Sequence, residues 1–292
     1  MRRIIECVPN FSEGRRPEVI EQIVSSIRSV TGVTLLDQEM NADHNRAVIS
    51  FVGEPEAVLE AAFRATKTAS ELIDLTKHQG EHPRIGATDV IPFVPISGVT
   101  QAECIELAKR LGKRIADELG IPVYLYELAA TRPDRQDLAN IRQGEFEGLR
   151  EAIRTDPDRA PDFGRPELHP TAGATVVGVR APLIAYNINL STPDVKIAEK
   201  IAKAIRFRSG GFRYVKALGF ELKEKNCAQV SINMTDYTKT PLYRVFETVK
   251  REAQRYGVNV VESEIVGLVP QAALVDCARF YLQLNEFKKE QI

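Results

Sequence analysis

Between His78 and Gly86 the chain gathers His78, Glu81, His82 and Arg84, a carboxylate and a guanidinium beside two of its four histidines, with Gly80 and Gly86 to bend the backbone. A plain connector needs only turn formers, whereas this one is dense in groups that titrate or carry charge. Imidazole changes protonation near neutral pH, and a carboxylate such as Glu81 can fix its tautomer or stabilise its charged form, so His82 suits proton transfer. The segment Lys77 to Gly86 holds no serine or cysteine nucleophile. On these residues alone two other readings stand beside general acid/base work. One is a solvated loop. The other is a metal site drawn from His44, His78 and His82 with Asp43, Glu81 and Asp89, although the spacing matches neither H-E-x-x-H nor H-x-H.

Other polar clusters fall where strands are expected to end or face outward. Glu39, Asn45 and Arg46 lie in one polar run between two strands. Asn187 and Asn189 share a face by the period-two rule, as do Gln229, Ser231 and Asn233 on a later strand. Such rows of amides describe an uncharged polar surface able to hydrogen-bond a heterocycle or an amide-bearing substrate, with a solvated sheet face as the alternative. Arg206, Arg208, Arg213, Lys216, Lys223 and Lys225 form a basic concentration that could receive carboxylates or be plain surface. No G-x-x-x-x-G-K-[ST] or G-x-G-x-x-G follows a strand, which argues against nucleotide chemistry.

The elements that position these groups are legible from periodicity. Ile4 to Val8 reads as a strand, ended by the turn formers Pro9 to Gly14, before a helix from Pro17 with Val19, Ile20, Ile23, Val24 and Ile27 on one face. Strands are expected over 33–37 and 46–52, a helix from Glu54, a strand over 88–96, and a helix opened by a Thr100 and Glu103 capping box and closed by Gly120. A strand over 121–126 ends this half. Residues 131–170 turn to Arg, Asp, Pro and Gly and read as a long connector. The second half reads as a strand from Thr175 continuing past Pro182 to Leu190, a helix capped by Ser191 or Thr192, a basic loop over 206–213, strands over 215–222 and 228–234, a helix capped by Thr240, a strand over 258–266 and a last helix. The order β-α-β-β-α-β-α recurs in both halves and predicts an α/β fold of the α+β type, two similar subdomains each with helices on one face of a mixed sheet. The boundary is placed between residues 180 and 181.

At 292 residues the chain has room for two cores at about 150 residues each, and its composition is that of a globular protein. A net charge of −1 leaves no basic excess for a phosphate backbone, so nucleic acid is not an expected partner. No apolar run reaches the ~18 residues of a membrane span, which predicts a cytoplasmic protein. Cys7, Cys104, Cys227 and Cys277 are scattered without a C-x-x-C pair, as expected of reduced core thiols.

Taken together, seven segments resemble the glutamate formiminotransferase family, which also forms the N-terminal part of the animal formimidoyltransferase-cyclodeaminases. They are Glu6 to Gly14, Gly80 to Arg84, Pro122 to Tyr126, Ala160 to Gly164, Asn187 to Leu190, Ala228 to Ser231 and Gly267 to Pro270, in order along nearly the whole chain. The resemblance implies transfer of a formimino group from N-formimino-L-glutamate to N5 of tetrahydrofolate, with or without a polyglutamate tail, and no metal. It implies two sheets facing each other across a folate-binding tunnel, a homodimer, and a separate downstream cyclodeaminase, since this sequence stops at Ile292. It places the catalytic histidine on His82 and the folate contacts on Gly164, Arg165, Pro166, Glu167, Leu168, His169, Pro170, Thr171, Ala172 and Gly173. Glu39 is then the candidate to stabilise the amidinium, Arg46 and Arg84 to hold substrate carboxylates, and Asn45, Glu81, Asn187 and Asn189 to line the substrate site. A formyl-transferring or 5-formyltetrahydrofolate-metabolising enzyme is the alternative within the class, and a non-catalytic folate-binding protein the alternative outside it.

Overall fold

A computed structural model describes residues 2–288 and 291. The chain divides into two compact units, 1–180 and 181–292. The first contains β1 (Ile4–Cys7), β2 (Asn10–Phe11), α1 (Pro17–Arg28), β3 (Val33–Asn41), β4 (Arg46–Gly53), α2 (Pro55–Leu72), β5 (Thr88–Ser97), α3 (Gln101–Leu119), β6 (Val123–Glu127), α4 (Leu138–Ile141), α5 (Glu145–Thr155) and β7 (Thr175–Val179). Pro17 sits in the first turn of α1, where its missing N–H costs nothing, and the apolar residues that recur every three to four positions are buried. The α3 capping box forms in both directions, Thr100 with Glu103, and Gly120 closes the helix in the left-handed conformation at φ 66°.

The first sheet runs β3, β4, then β1 and β2 in one lane, then β5, β7 and β6. β1 and β2 each pair antiparallel with β4 on one side and β5 on the other, so they act as one strand interrupted at Pro9. Proline offers no N–H to a ladder, which is why the lane breaks there. β7 lies parallel to both β5 and β6. Ile5, Cys7 and Phe11 of the central lane, Ile49 and Phe51 of β4, and Ile91 and Phe93 of β5 are fully buried in one cluster with the apolar stripes of α1, α2 and α3. Fully burying one such side chain contributes roughly 1.5–3 kcal/mol, so this cluster fixes the sheet that carries the polar loops.

Two sequence expectations need correction here. The single strand expected from Thr175 to Leu190 is two strands: β7 joins the first sheet, and after Pro182 the chain begins β8 (Ile184–Leu190) in the second. Pro182 both lacks a donor and restricts Ala181, so a continuous ladder could not cross it. The connector over 131–170 contains α5, whose Phe146, Leu149 and Ile153 are buried. Its polar surroundings hide that i, i+3, i+7 stripe.

The second unit contains β8, α6 (Val195–Ile205), β9 (Val215–Leu222), β10 (Cys227–Met234), α7 (Leu242–Arg255), β11 (Val260–Val266) and α8 (Gln271–Tyr281). Its sheet is wholly antiparallel in the order β11, β8, β10, β9. Ile184, Tyr186, Ile188 and Leu190 alternate onto the face covered by α6 and α7, leaving Ala185, Asn187 and Asn189 on the other. The cap of α6 is Asp194, which accepts from Lys196 N, rather than Ser191 or Thr192, and Pro241 rather than Thr240 precedes α7.

Candidate active site

The loop bearing His82 is fixed by hydrogen bonds from three directions. Asn45, in the β3–β4 turn at φ 46°, accepts from Gly14 N at 2.9 Å and donates to Gln79 O at 2.9 Å. Glu81 N donates to Asp43 O, and Ser12 Oγ donates to Gly86 O at 2.7 Å. A Cβ on Gly80 would lie 2.5 Å from His44 O, so the two turns can meet this closely only with glycine at that position. Asn45, expected to touch substrate, is therefore the staple between two turns.

Arg84 is also placed differently from expectation. Its guanidinium is buried and donates to Glu145 Oε2 at 2.8 Å, to both oxygens of Glu147 at 2.5 and 2.8 Å, and to His78 Nδ1 at 3.1 Å. A group so occupied has no open fork for a substrate carboxylate. Because guanidinium only donates, His78 Nδ1 accepts, and His78 Nε2–H donates to Asn45 O at 2.9 Å. Burial accordingly lowers the His78 pKa. With both ring nitrogens engaged, His78 is withdrawn from the metal reading, and among the described residues no three His, Cys, Asp or Glu side chains gather as a metal site.

His82 is partly buried, its ring edge-on to His44 with centroids 6.5 Å apart. Burial and then the charges of Arg46 and Arg142 hold its pKa well below the usual value, so the ring is neutral at neutral pH. That is the form a general base requires. Arg46 reaches Asn10 Oδ1 at 3.4 Å, and burial followed by Arg142 brings it down to about 10, against the opposing pull of Asp89 and Glu39. Arg142 donates to Asp89, whose other oxygen accepts from Ile85 N at 2.8 Å. Nothing local singles out Arg142, which sits in what reads as connector. Glu81, on the loop itself, is exposed.

The segment 164–173 is sewn to this loop. Leu75 N donates to Thr171 O, Ala87 N to Ala172 O, and Ala174 N to Ile85 O. His169 and Gly173 exchange main-chain bonds at 3.0 and 3.1 Å, and His169 Nδ1 accepts from Ala172 N at 3.0 Å. A Cβ on Gly86 would lie 1.9 Å from Ala174 O, and one on Gly173 2.2 Å from Ile85 O. Leu168, Ala172 and Gly173 are buried; Gly164, Arg165, Pro166, Glu167 and Pro170 are exposed, and His169 and Thr171 lie between.

In the second unit the expected amide row forms, with two carboxylates that were missed. Asn187 Nδ2 donates to Glu264 at 3.0 Å, Asn189 Nδ2 to Glu262 at 2.7 Å, and Gln229 Nε2 to both Asn189 Oδ1 at 2.9 Å and Glu264 at 3.1 Å. Lys225 closes the row on Glu262 at 2.9 Å. Gln229 and Asn189 are each 2% exposed, whereas Asn233 lies open to solvent. Asn189, Lys225 and Glu262 also border a cavity of about 450 Å³. The signal for the carboxylates was present: Glu262 and Glu264 are two apart on β11 and so share a face.

Comparison with known proteins gives a consistent family. The N-terminal subdomain of the formiminotransferase domain matches residues 4–180, and the formiminotransferase domain itself matches residues 185–291. A glutamate formimidoyltransferase from Streptococcus pyogenes serotype M1 is 54% identical, covering 98% of this chain and 96% of that protein. Another from Thermoplasma acidophilum is 54% identical over 99% of this chain and 95% of its own length. The mouse formimidoyltransferase-cyclodeaminase is 48% identical over 96% of this chain, which spans 53% of that longer protein.

Proposed function

The chain belongs to the formiminotransferase family, and from that premise we propose that it moves the formimino group of N-formimino-L-glutamate to N5 of tetrahydrofolate, with His82 as the proton carrier. The observation that supports the catalytic assignment is the placement of His82 in a loop tied down by Asn45, Asp43 and Ser12, where burial and then the charges of Arg46 and Arg142 lower its pKa and favour the neutral imidazole. N5 attacks the formimino carbon, a bond forms there, and His82 takes the N5 proton. The imidazolium then returns that proton to the nitrogen of the departing glutamate as the carbon–nitrogen bond breaks, so one proton passes from nucleophile to leaving group. Glu39, which pulls on the charge of Arg46, is the proposed counter-charge to the amidinium.

The segment 164–173 is the proposed folate contact, supported by the bonds that tie it to the His82 loop. Asn187 and Asn189 are proposed to act through the carboxylates they hold. A cytoplasmic homodimer whose product feeds a cyclodeaminase completes the reading, supported by family membership, as does the division of labour between units 1–180 and 181–292. No described helix is long and apolar enough to cross a membrane.

The test is product analysis after mixing the protein with tetrahydrofolate and N-formimino-L-glutamate, with N-formyl-L-glutamate alongside. Equal yields of glutamate and 5-formimino-tetrahydrofolate are expected from the first donor. Binding of tetrahydrofolate without glutamate release from either donor would leave only a folate-binding protein.

A further inference from the structure

We propose that Arg142 and Arg46 together form the receptor for one carboxylate of the amino-acid donor, with Arg142 set in place by Asp89. The inference rests on the transferase reading and adds to it a residue that family resemblance did not supply. The Nε–H groups of both arginines are buried with no acceptor among the described residues. An unmade hydrogen bond at a buried donor costs roughly 1–3 kcal/mol, more for a charged group, so two such donors near one histidine call for an acceptor from a ligand. The charge of Arg142 also lowers the pKa of Arg46, after burial, and an anion bound to both would offset that repulsion.

Asp89 does not serve as that anion. Its side chain is 2% exposed, one oxygen is taken by Arg142 and the other by Ile85 N, so it locks Arg142 to the base of the His82 loop. Arg84, the arginine of the His82 loop itself, is filled by Glu145, Glu147 and His78. A planar fork with a free Nε–H matches carboxylate geometry, and placing it beside the general base fixes the formimino group relative to the proton acceptor.

The experiment is a cycle between residue and substrate. N-formimino-L-glutamate and its α- and γ-carboxamides are compared on wild type, R142Q and R142K, with KM for tetrahydrofolate measured throughout and L-glutamate binding followed by calorimetry. In the wild type one carboxamide is expected to lose about 10- to 100-fold in kcat/KM, the scale of one charge-assisted pair. R142Q should lose a similar factor on the diacid through KM, lose little further on that carboxamide, bind L-glutamate about tenfold more weakly, and keep its KM for tetrahydrofolate. R142K keeps the charge and the Asp89 pair but lacks the fork, so it should fall between them. If R142Q fails to fold, R142K carries the cycle. Equal losses on all three donors, or a parallel rise in the tetrahydrofolate KM, overturn the receptor. A wild type that turns over the diacid without preferring it to either carboxamide also overturns the receptor while leaving the transferase reading intact; a wild type inactive on the diacid sinks the reading itself.

Discussion

The loop cluster around His82 and the amide row on β8 and β10 are both polar surfaces, but they are held by different means. In the loop cluster the clamps join main chain to side chain between turns: Gly14 N donates to Asn45 Oδ1, and Ser12 Oγ to Gly86 O. In the amide row the partners are neighbours across strands, set by the register that puts Asn187 opposite Ser231 and Glu264, and Asn189 opposite Gln229. The charge balance differs as well. Burial and then the charges of Arg46 and Arg142 lower the pKa of His82 in the first, whereas the second is built from amides, two carboxylates and one lysine. A proton carrier must be tuned, and tuning comes from charges brought in from several elements. A recognition surface needs fixed donors and acceptors, which a strand pair supplies directly.

The sharpest way to break that contrast is to remove the tuned group. His82→Ala should lower kcat by about 10²- to 10⁴-fold, the usual contribution of a positioned acid/base, while tetrahydrofolate affinity stays within a few fold. Steady-state kinetics alongside a binding titration reads both; turnover that survives the change would remove His82 from catalysis. Next in size is Gly86→Ala. Its Cβ would meet Ala174 O at 1.9 Å, so the join between the loop and 164–173 must open. A loss of about 2–3 kcal/mol in unfolding free energy is expected, with turnover falling further than stability alone explains. Thermal and denaturant melts that match wild type would show that the join is not rigid.

The row in the second unit should respond more mildly. Gln229→Leu removes one donor from Asn189 and one from Glu264. Its cost should be about 1–2 kcal/mol in stability, with changes in KM and none in kcat. A kcat defect as deep as that of His82→Ala would erase the distinction drawn between tuning and recognition.

How much of this could be read from sequence follows the same division. The amide row is legible because period two needs only local spacing; the same rule puts Glu262 and Glu264 on one face of β11 but does not place them against Asn189 and Asn187, 73 and 77 positions away. The α3 capping box and the stripe of α1 were legible for the same reason. Arg142, Glu145 and Glu147 were not, because nothing local to 131–170 says that those residues return to a loop some 60 positions earlier, as Arg84 to Glu145 does across 61. Asn45 and Arg84 stand out in the sequence as polar residues suited to substrate roles. Their types fit binding equally well, and only the contacts show that both are spent inside the protein.

The smallest effect is in the pH profile, and its sign separates the two regions. His82 titrates well below 6.5 in the folded chain and near 6.5 when unfolded, so the unfolded state binds more protons as the pH falls through 6.5. Stability should therefore decline on acidification below about pH 6.5, and His78 and His169, both also lowered by burial, push the same way. For activity the base form persists to lower pH, so the acid limb of kcat/KM should lie below 6.5. His82 is faced by Arg46 and Arg142 and by His44 and His78, and R142Q removes one of the two guanidinium charges. Its acid limb should move to higher pH, by a fraction of a unit to about one unit, since an exposed neighbouring charge is partly screened and a buried one is not. Gln229→Leu, acting on a row whose titrating groups are carboxylates and a lysine, should leave that limb where it is. A limb that stays fixed in R142Q, or that shifts in both variants alike, would mean that His82 is not tuned by the charges gathered around it.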